Sequence, residues 1–179
     1  MNNTVTVKRS KMLIIDLLIF AVLVFLDQLS KYFAIVRLKD NAPFVIWENV
    51  FEFNYLENRG SAFGMLQNQK VFILFVGAIF MAVILFFLFR LPETKKFVSI
   101  HVLLSFIVAG GIGNMIDRVR FDYVVDFLYF KLIDYPIFNV ADCYIVVATI
   151  VLFVLFIFVF KEKDFEFLNF KQNKYREIK

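Results

Sequence analysis

Phe138-Asn-Val-Ala-Asp-Cys-Tyr-Ile-Val-Val-Ala-Thr-Ile-Val-Leu-Phe-Val-Leu-Phe-Ile-Phe-Val-Phe160 decides the fold class. At 1.5 Å per residue a helix of this length crosses the roughly 30 Å hydrocarbon core of a bilayer. Beyond Asp142 the run carries no charge. Three other stretches read the same way: residue 12 to about residue 29, 71–89 and 97–116. The whole chain is 61% apolar with 26 phenylalanines, against roughly 45–50% apolar in soluble domains. The expected fold is an all-α integral membrane protein with four transmembrane helices over 12–29, 71–89, 97–116 and 138–160. Loops 30–70 and 117–137 lie on one side, and a tail over 161–179 lies on the other. No internal repeat or linker divides residues 1–179, which are expected to form a single membrane-embedded domain.

Twelve of the 20 Lys and Arg residues fall in the N-terminal tail, the turn between the second and third spans, and the C-terminal tail. The positive-inside rule therefore places both termini in the cytoplasm and the two long loops outside. Lys8, Arg9 and Lys11 before the first span resemble a signal-peptide n-region, but no small-x-small cleavage site follows, so the span is expected to be retained. The basic residues Lys161, Lys163, Lys171, Lys174, Arg176 and Lys179 suit anionic lipid headgroups, and nucleic acid is not an expected partner. Cys143 is the single cysteine, which rules out an intrachain disulfide, and no Cys/His spacing suggests structural zinc.

Between the first two spans, Phe51, Phe53 and Tyr55 alternate with Glu52 and Asn54. This period-two pattern predicts a half-buried strand, and so a small outer sheet within 44–57. Asn58-Arg-Gly-Ser61 follows as a turn. Tyr123-Val-Val-Asp-Phe-Leu-Tyr-Phe130 is too short to span and suits a short interfacial segment.

The carboxylates carry the functional reading. An ionised carboxylate in or beside a bilayer is costly, roughly 2.5 to 3.5 kcal/mol on insertion scales, so its retention points to work. If Asn139 caps the last helix, Asp142 occupies N3, where helix dipole and unpaired backbone N–H groups favour an anion. Asp126, between Val125 and Phe127, is expected to be desolvated and to hold its proton. Two carboxylates in contrasting environments can divide acid and base roles. Each also has a plainer reading: Asn139 and Asp142 as a helix-start pair, Asp126 as a solvated loop residue. Asp117-Arg118 can be an interfacial ion pair, Asp27 and Lys31 an i,i+4 pair, and Asp16 a snorkelling or paired group near Lys11. The glycines of Ala109-Gly-Gly-Ile-Gly113 are expected to let another helix approach closely. Cys143 lacks a base, because His101 lies about 20 Å along the third span from Asn114.

Five motifs in order, Asp27-Gln-Leu-Ser-Lys31, Asn58-Arg-Gly-Ser-Ala-Phe-Gly64, Ala109-Gly-Gly-Ile-Gly-Asn-Met-Ile-Asp-Arg118, Val124-Val-Asp-Phe127 and Phe138-Asn-Val-Ala-Asp142, resemble lipoprotein signal peptidase, the bacterial signal peptidase II. The resemblance covers about residues 12–160. It implies a four-helix membrane aspartyl endopeptidase with a β-sheet cradle, acting on prolipoprotein signal peptides before a diacylglyceryl-modified cysteine, without a metal or cofactor, and blocked by globomycin-type inhibitors. It assigns Asp126 and Asp142 as catalytic, Asn58, Asn114, Arg118 and Asn139 as lining the site, and Asp27, Lys31, Gly60 and Asp117 as structural support. Membrane phospholipids are expected neighbours. Ser61 stands where the family often has Ala, and the stretch between Asp126 and Asp142 is shorter than in many members. An ion-coupled transporter is the alternative from another class. A presenilin-type protease lacks its GxGD signature here.

Overall fold

A computed structural model describes residues 8–61 and 65–168. Ala62, Phe63 and Gly64 of the second motif, and Lys171, Lys174, Arg176 and Lys179 of the basic tail, lie outside the described residues. The elements run α1 (Arg9–Leu38), β1 (Phe44–Trp47), β2 (Phe51–Asn58), α2 (Lys70–Arg90), α3 (Val98–Phe121), β3 (Val124–Tyr129) and α4 (Val140–Phe158). All four helices are long and apolar enough to cross a membrane. The first and third outrun the expected spans: α1 continues to Leu38, and α3 carries Asp117 and Arg118 on its last turns rather than in a loop.

Helix ends follow local chemistry. Asn139 caps α4 in extended conformation, its side chain accepting from the Asp142 N–H, while the Asp142 carboxylate accepts from the Asn139 N–H. This reciprocal box satisfies two donors that an apolar environment would otherwise strand. At the end of α3, Asp122 turns left-handed (φ 68°) and its N–H returns to the Arg118 carbonyl, a short-polar-residue version of the αL cap.

α3 is the hub of the bundle, packing against α1, α2 and α4. Its small residues make this possible. A Cβ at Gly110 would sit 2.5 Å from the Ala141 carbonyl of α4, and one at Gly113 would collide with the Asp27 carboxylate of α1. α2 packs mainly against α3 and buries only Leu88 among its residues. It offers its phenylalanines to lipid.

Extended segment 44–57 is two strands joined by a turn at Glu48–Val50, and they form a three-stranded antiparallel sheet in the order β1-β2-β3. The third strand is the stretch read as interfacial. Its β-branched and aromatic residues favour a strand, and pairing with β2 fixes it there. β2 also differs from simple alternation. Glu52 is its buried residue, held by the Lys131 ammonium at 3.1 Å, while Phe51 and Phe53 are only half-buried. Phe53 and Tyr55 pack on the cluster of Ala34, Leu38, Val125 and Phe127, which seats the sheet on the end of α1.

Within the helices, Asp16 pairs with α3 rather than with Lys11. Its carboxylate meets His101 Nδ1 at 2.9 Å and accepts from the Ser105 hydroxyl at 3.4 Å, tying α1 to α3. Both residues are buried, which also removes His101 from any part at Cys143.

Candidate active site

β2 and β3 change register between Phe53 and Leu56, after which Leu56 faces Asp126 and Asn58 faces Val124. Asn58 and Asp126 then stand as diagonal neighbours, which share a sheet face in an antiparallel pair. The Asn58 amide donates to Asp126 Oδ2 at 2.9 Å. From the other side the Asn139 amide donates to Asp126 Oδ1 at 2.6 Å. Asp126 is 2% exposed. Burial, and next the Asp142 charge, push its pKa up to about 7, against the opposing pull of the two amides and Lys31. A solvated loop residue is excluded.

Asp142, half-buried at N3 of α4, accepts from the Asn139 N–H at 3.1 Å through Oδ2 and from the Asn114 amide at 2.8 Å through Oδ1. Asn139 therefore serves as a helix cap and as the link between the two carboxylates: its amide group touches Asp126 while its carbonyl holds the Asp142 N–H. Asn114 Oδ1 in turn accepts from the Asn139 amide at 3.1 Å and from Lys31 Nζ at 2.8 Å. With two donors fixed on Oδ1, the Asn114 amide is committed to Asp142.

Both aspartates line one cavity of about 360 Å³, with Asn58, Asn114 and Arg118 on its walls. Arg118 donates to the Gly60 carbonyl at 2.7 Å and to the Asn114 carbonyl at 3.2 Å. Its guanidinium is thereby spread across the turn after β2, and its charge acts on both carboxylates. The Asn58 side-chain Oδ1 accepts from the Gly60 N–H at 3.0 Å, closing that turn. Within the short stretch between the aspartates, Tyr135, Pro136 and Ile137 line the cavity, and Phe138 bridges back to Leu128.

Beneath lies a buried ionic layer. Lys31 Nζ sits 3.0 Å from Asp27 and 2.9 Å from Asp117, all three at most 2% exposed. Asp27 Oδ1 accepts the Ala141 N–H, an orphan donor of the first turn of α4, and Asp117 Oδ2 accepts the Val125 N–H of β3. Asp117 thus pairs with Lys31 rather than with Arg118. All ten expected site and support residues converge here. Sequence reasoning missed Gln28, whose amide donates to Asp117 Oδ1 at 2.9 Å and to the Gly113 carbonyl at 3.2 Å. Its place one residue after Asp27 in a motif was the available signal.

Residues 19–158 match the family model described as signal peptidase (SPase) II. The chain belongs to the signal peptidase II family. It is a protease by family and a multi-pass bacterial membrane protein by architecture. It is similar to the lipoprotein signal peptidase of Clostridium tetani, 37% identical over 154 residues, which covers 84% of this chain and 96% of that protein. The lipoprotein signal peptidase of Caldanaerobacter subterraneus subsp. tengcongensis is 42% identical over 142 residues, with 79% and 95% covered. A solved structure of a bacterial membrane enzyme superposes with a TM-score of 0.72 at 25% identity, covering 86% of this chain and 92% of that one. Membership in signal peptidase II agrees with the family resemblance carried by the five motifs.

Proposed function

We propose that this chain is an aspartic endopeptidase that removes signal peptides from prolipoproteins, cutting before a diacylglyceryl-modified cysteine at the outer face of the cytoplasmic membrane. The observation that carries the reading is the meeting of two carboxylates in one cavity under opposite conditions. Asp126 is buried with a proton-retaining pKa, and Asp142 accepts N–H groups at the positive end of a helix.

In the proposed step a water between them attacks the scissile carbonyl carbon. Asp142 takes the water proton, and Asp126 gives its proton to the carbonyl oxygen, leaving a tetrahedral diol. Asp142 then protonates the departing nitrogen, Asp126 recovers a proton from one hydroxyl, and the C–N bond breaks. Two carboxylates supply every proton transfer, so the reading invokes no cofactor and no covalent intermediate. The distribution of Lys and Arg supports cytoplasmic termini and an outward cavity. A lipid-anchored cysteine and an apolar signal helix both partition into the bilayer, and this confinement supplies proximity. A globomycin-type inhibitor would compete for the same cavity.

Mass spectrometry of a lipidated precursor incubated with the purified protein tests the reading. The expected product begins at the diacylglyceryl-cysteine, and an unlipidated precursor stays intact. A cut at another bond, or equal cutting of both precursors, refutes the specificity proposed here.

The acid role of Asp126 sets an alkaline limit. A general acid works only while protonated, so kcat/KM is expected to fall about tenfold per pH unit once pH rises beyond about 7. The apparent value read from such a profile belongs to the pair of carboxylates. A profile flat from pH 6 to 9 contradicts the assignment.

A further inference from the structure

A second cavity, of about 580 Å³, lies between α1 and the sheet, within the roughly 300–1,000 Å³ range of ligand sites. Phe127, next to Asp126 on β3, lines it, whereas Asp126 lines the catalytic cavity. Adjacent strand residues point to opposite faces, so the two cavities lie on opposite sides of β3. One wall is the stripe Ser30, Phe33, Ala34 and Arg37 along α1, and the other is built from Phe44 and Phe53 of the sheet. The Ser30 hydroxyl is already spent on the Asp27 carbonyl. Among the described residues the Arg37 guanidinium has no anionic or carbonyl partner, whereas Lys39 nearby is held by Glu57.

Polarity is ordered along the groove. Arg37 stands about 10 Å beyond Ser30 along the helix axis. α1, with 30 residues, is about 45 Å long, longer than the hydrocarbon core, so its last turns reach headgroup depth. An unpaired cation at headgroup depth above an aromatic, apolar trough is complementary to one kind of molecule. We propose that this groove holds a membrane phospholipid, its phosphate on Arg37 and one acyl chain between α1 and the sheet. A peptide would instead set its backbone N–H and C=O groups against the side chains of Phe33, Ala34, Phe53 and Phe127, which cannot pair with them.

The test is native mass spectrometry of the delipidated full chain in detergent, titrated with phosphatidylglycerol or with diacylglycerol of the same chains. The wild type is expected to retain one phosphatidylglycerol on the order of tenfold more tightly than diacylglycerol, the scale of one charge-assisted contact. Arg37→Gln is expected to erase that preference, and Ala42→Phe, which fills the groove mouth, to weaken both lipids. Both positions are exposed, and precursor cleavage by each variant in detergent reports an intact fold. Equal retention of both lipids by the wild type, unchanged phosphatidylglycerol retention in Arg37→Gln, or displacement of the lipid by a synthetic signal peptide at equimolar ratio overturns the proposal. None of these readouts depends on which residues cut the precursor.

Discussion

Asp126→Asn and Asp142→Asn are each expected to lower cleavage of a lipidated precursor by about 10⁴-fold or more, the scale seen when a member of a cooperating proton-transfer pair is lost. The loss belongs to chemistry rather than to folding, and the two variants allow the distinction. Asp126 has a folded-state pKa near 7 against an ordinary value of 3.8. Because the folded value is raised, the stability this group contributes is complete below about pH 4 and is lost as pH rises through about 7. Above pH 7 the wild type therefore carries a buried carboxylate at a cost of up to about 4 kcal/mol. The Asn variant does not titrate. Its thermal midpoint relative to wild type is expected to rise between pH 5 and pH 8.5, while its activity stays absent at both. Residual activity within tenfold of wild type in either variant would remove that aspartate from catalysis. A midpoint difference that does not move with pH would show that Asp126 is not a proton-holding group in the folded protein.

What could be read from the sequence was local. The last span shows itself as an uninterrupted apolar run, and its start follows from Asn139 and Asp142, whose capping geometry depends only on residues three apart. The same locality exposed Asp27 and Lys31 as an i,i+4 pair. The small residues of α3 likewise announced close helix packing before any partner was known.

What could not be read was pairing across the chain. Asp117 has Arg118 as its neighbour, yet successive helix residues point about 100° apart, so Asp117 faces the ionic layer and Arg118 faces the cavity. Lys31, the true partner of Asp117, is remote in sequence. Asp16 and His101 are separated by 85 positions, and nothing near either betrays the other. β3 was hidden for a related reason. A short apolar, aromatic stretch suits both an interface and a strand, and only the neighbouring edge of β2 decides. Glu52 shows the limit of alternation: its period-two position says which residues share a face, not whether a lysine covers that face.

Lys31→Met is expected to be the most destabilising single change in the chain. The substitution keeps the length of the aliphatic stem but leaves Asp27 and Asp117 buried without their cation, and removing one member of a buried ionic group typically costs about 3–5 kcal/mol. Those two carboxylates also hold the Ala141 N–H of α4 and the Val125 N–H of β3, so a shift to relieve their repulsion moves both elements that carry the aspartates of the site. A thiol-reactive dye on Cys143, half-buried in α4, is expected to report unfolding at a midpoint lower by roughly 10 °C. The triple change Asp27→Asn, Lys31→Met and Asp117→Asn separates charge from position. It removes the unpaired charges while keeping side-chain oxygens for both N–H groups, so most of the lost stability is expected to return. Activity is not expected to return with it. Asn114 Oδ1 has lost its Lys31 donor, which frees the amide to rotate away from Asp142. A triple variant as active as wild type would reduce Lys31 to a counter-ion, and a Lys31→Met variant with an unchanged midpoint would show that the layer is solvated.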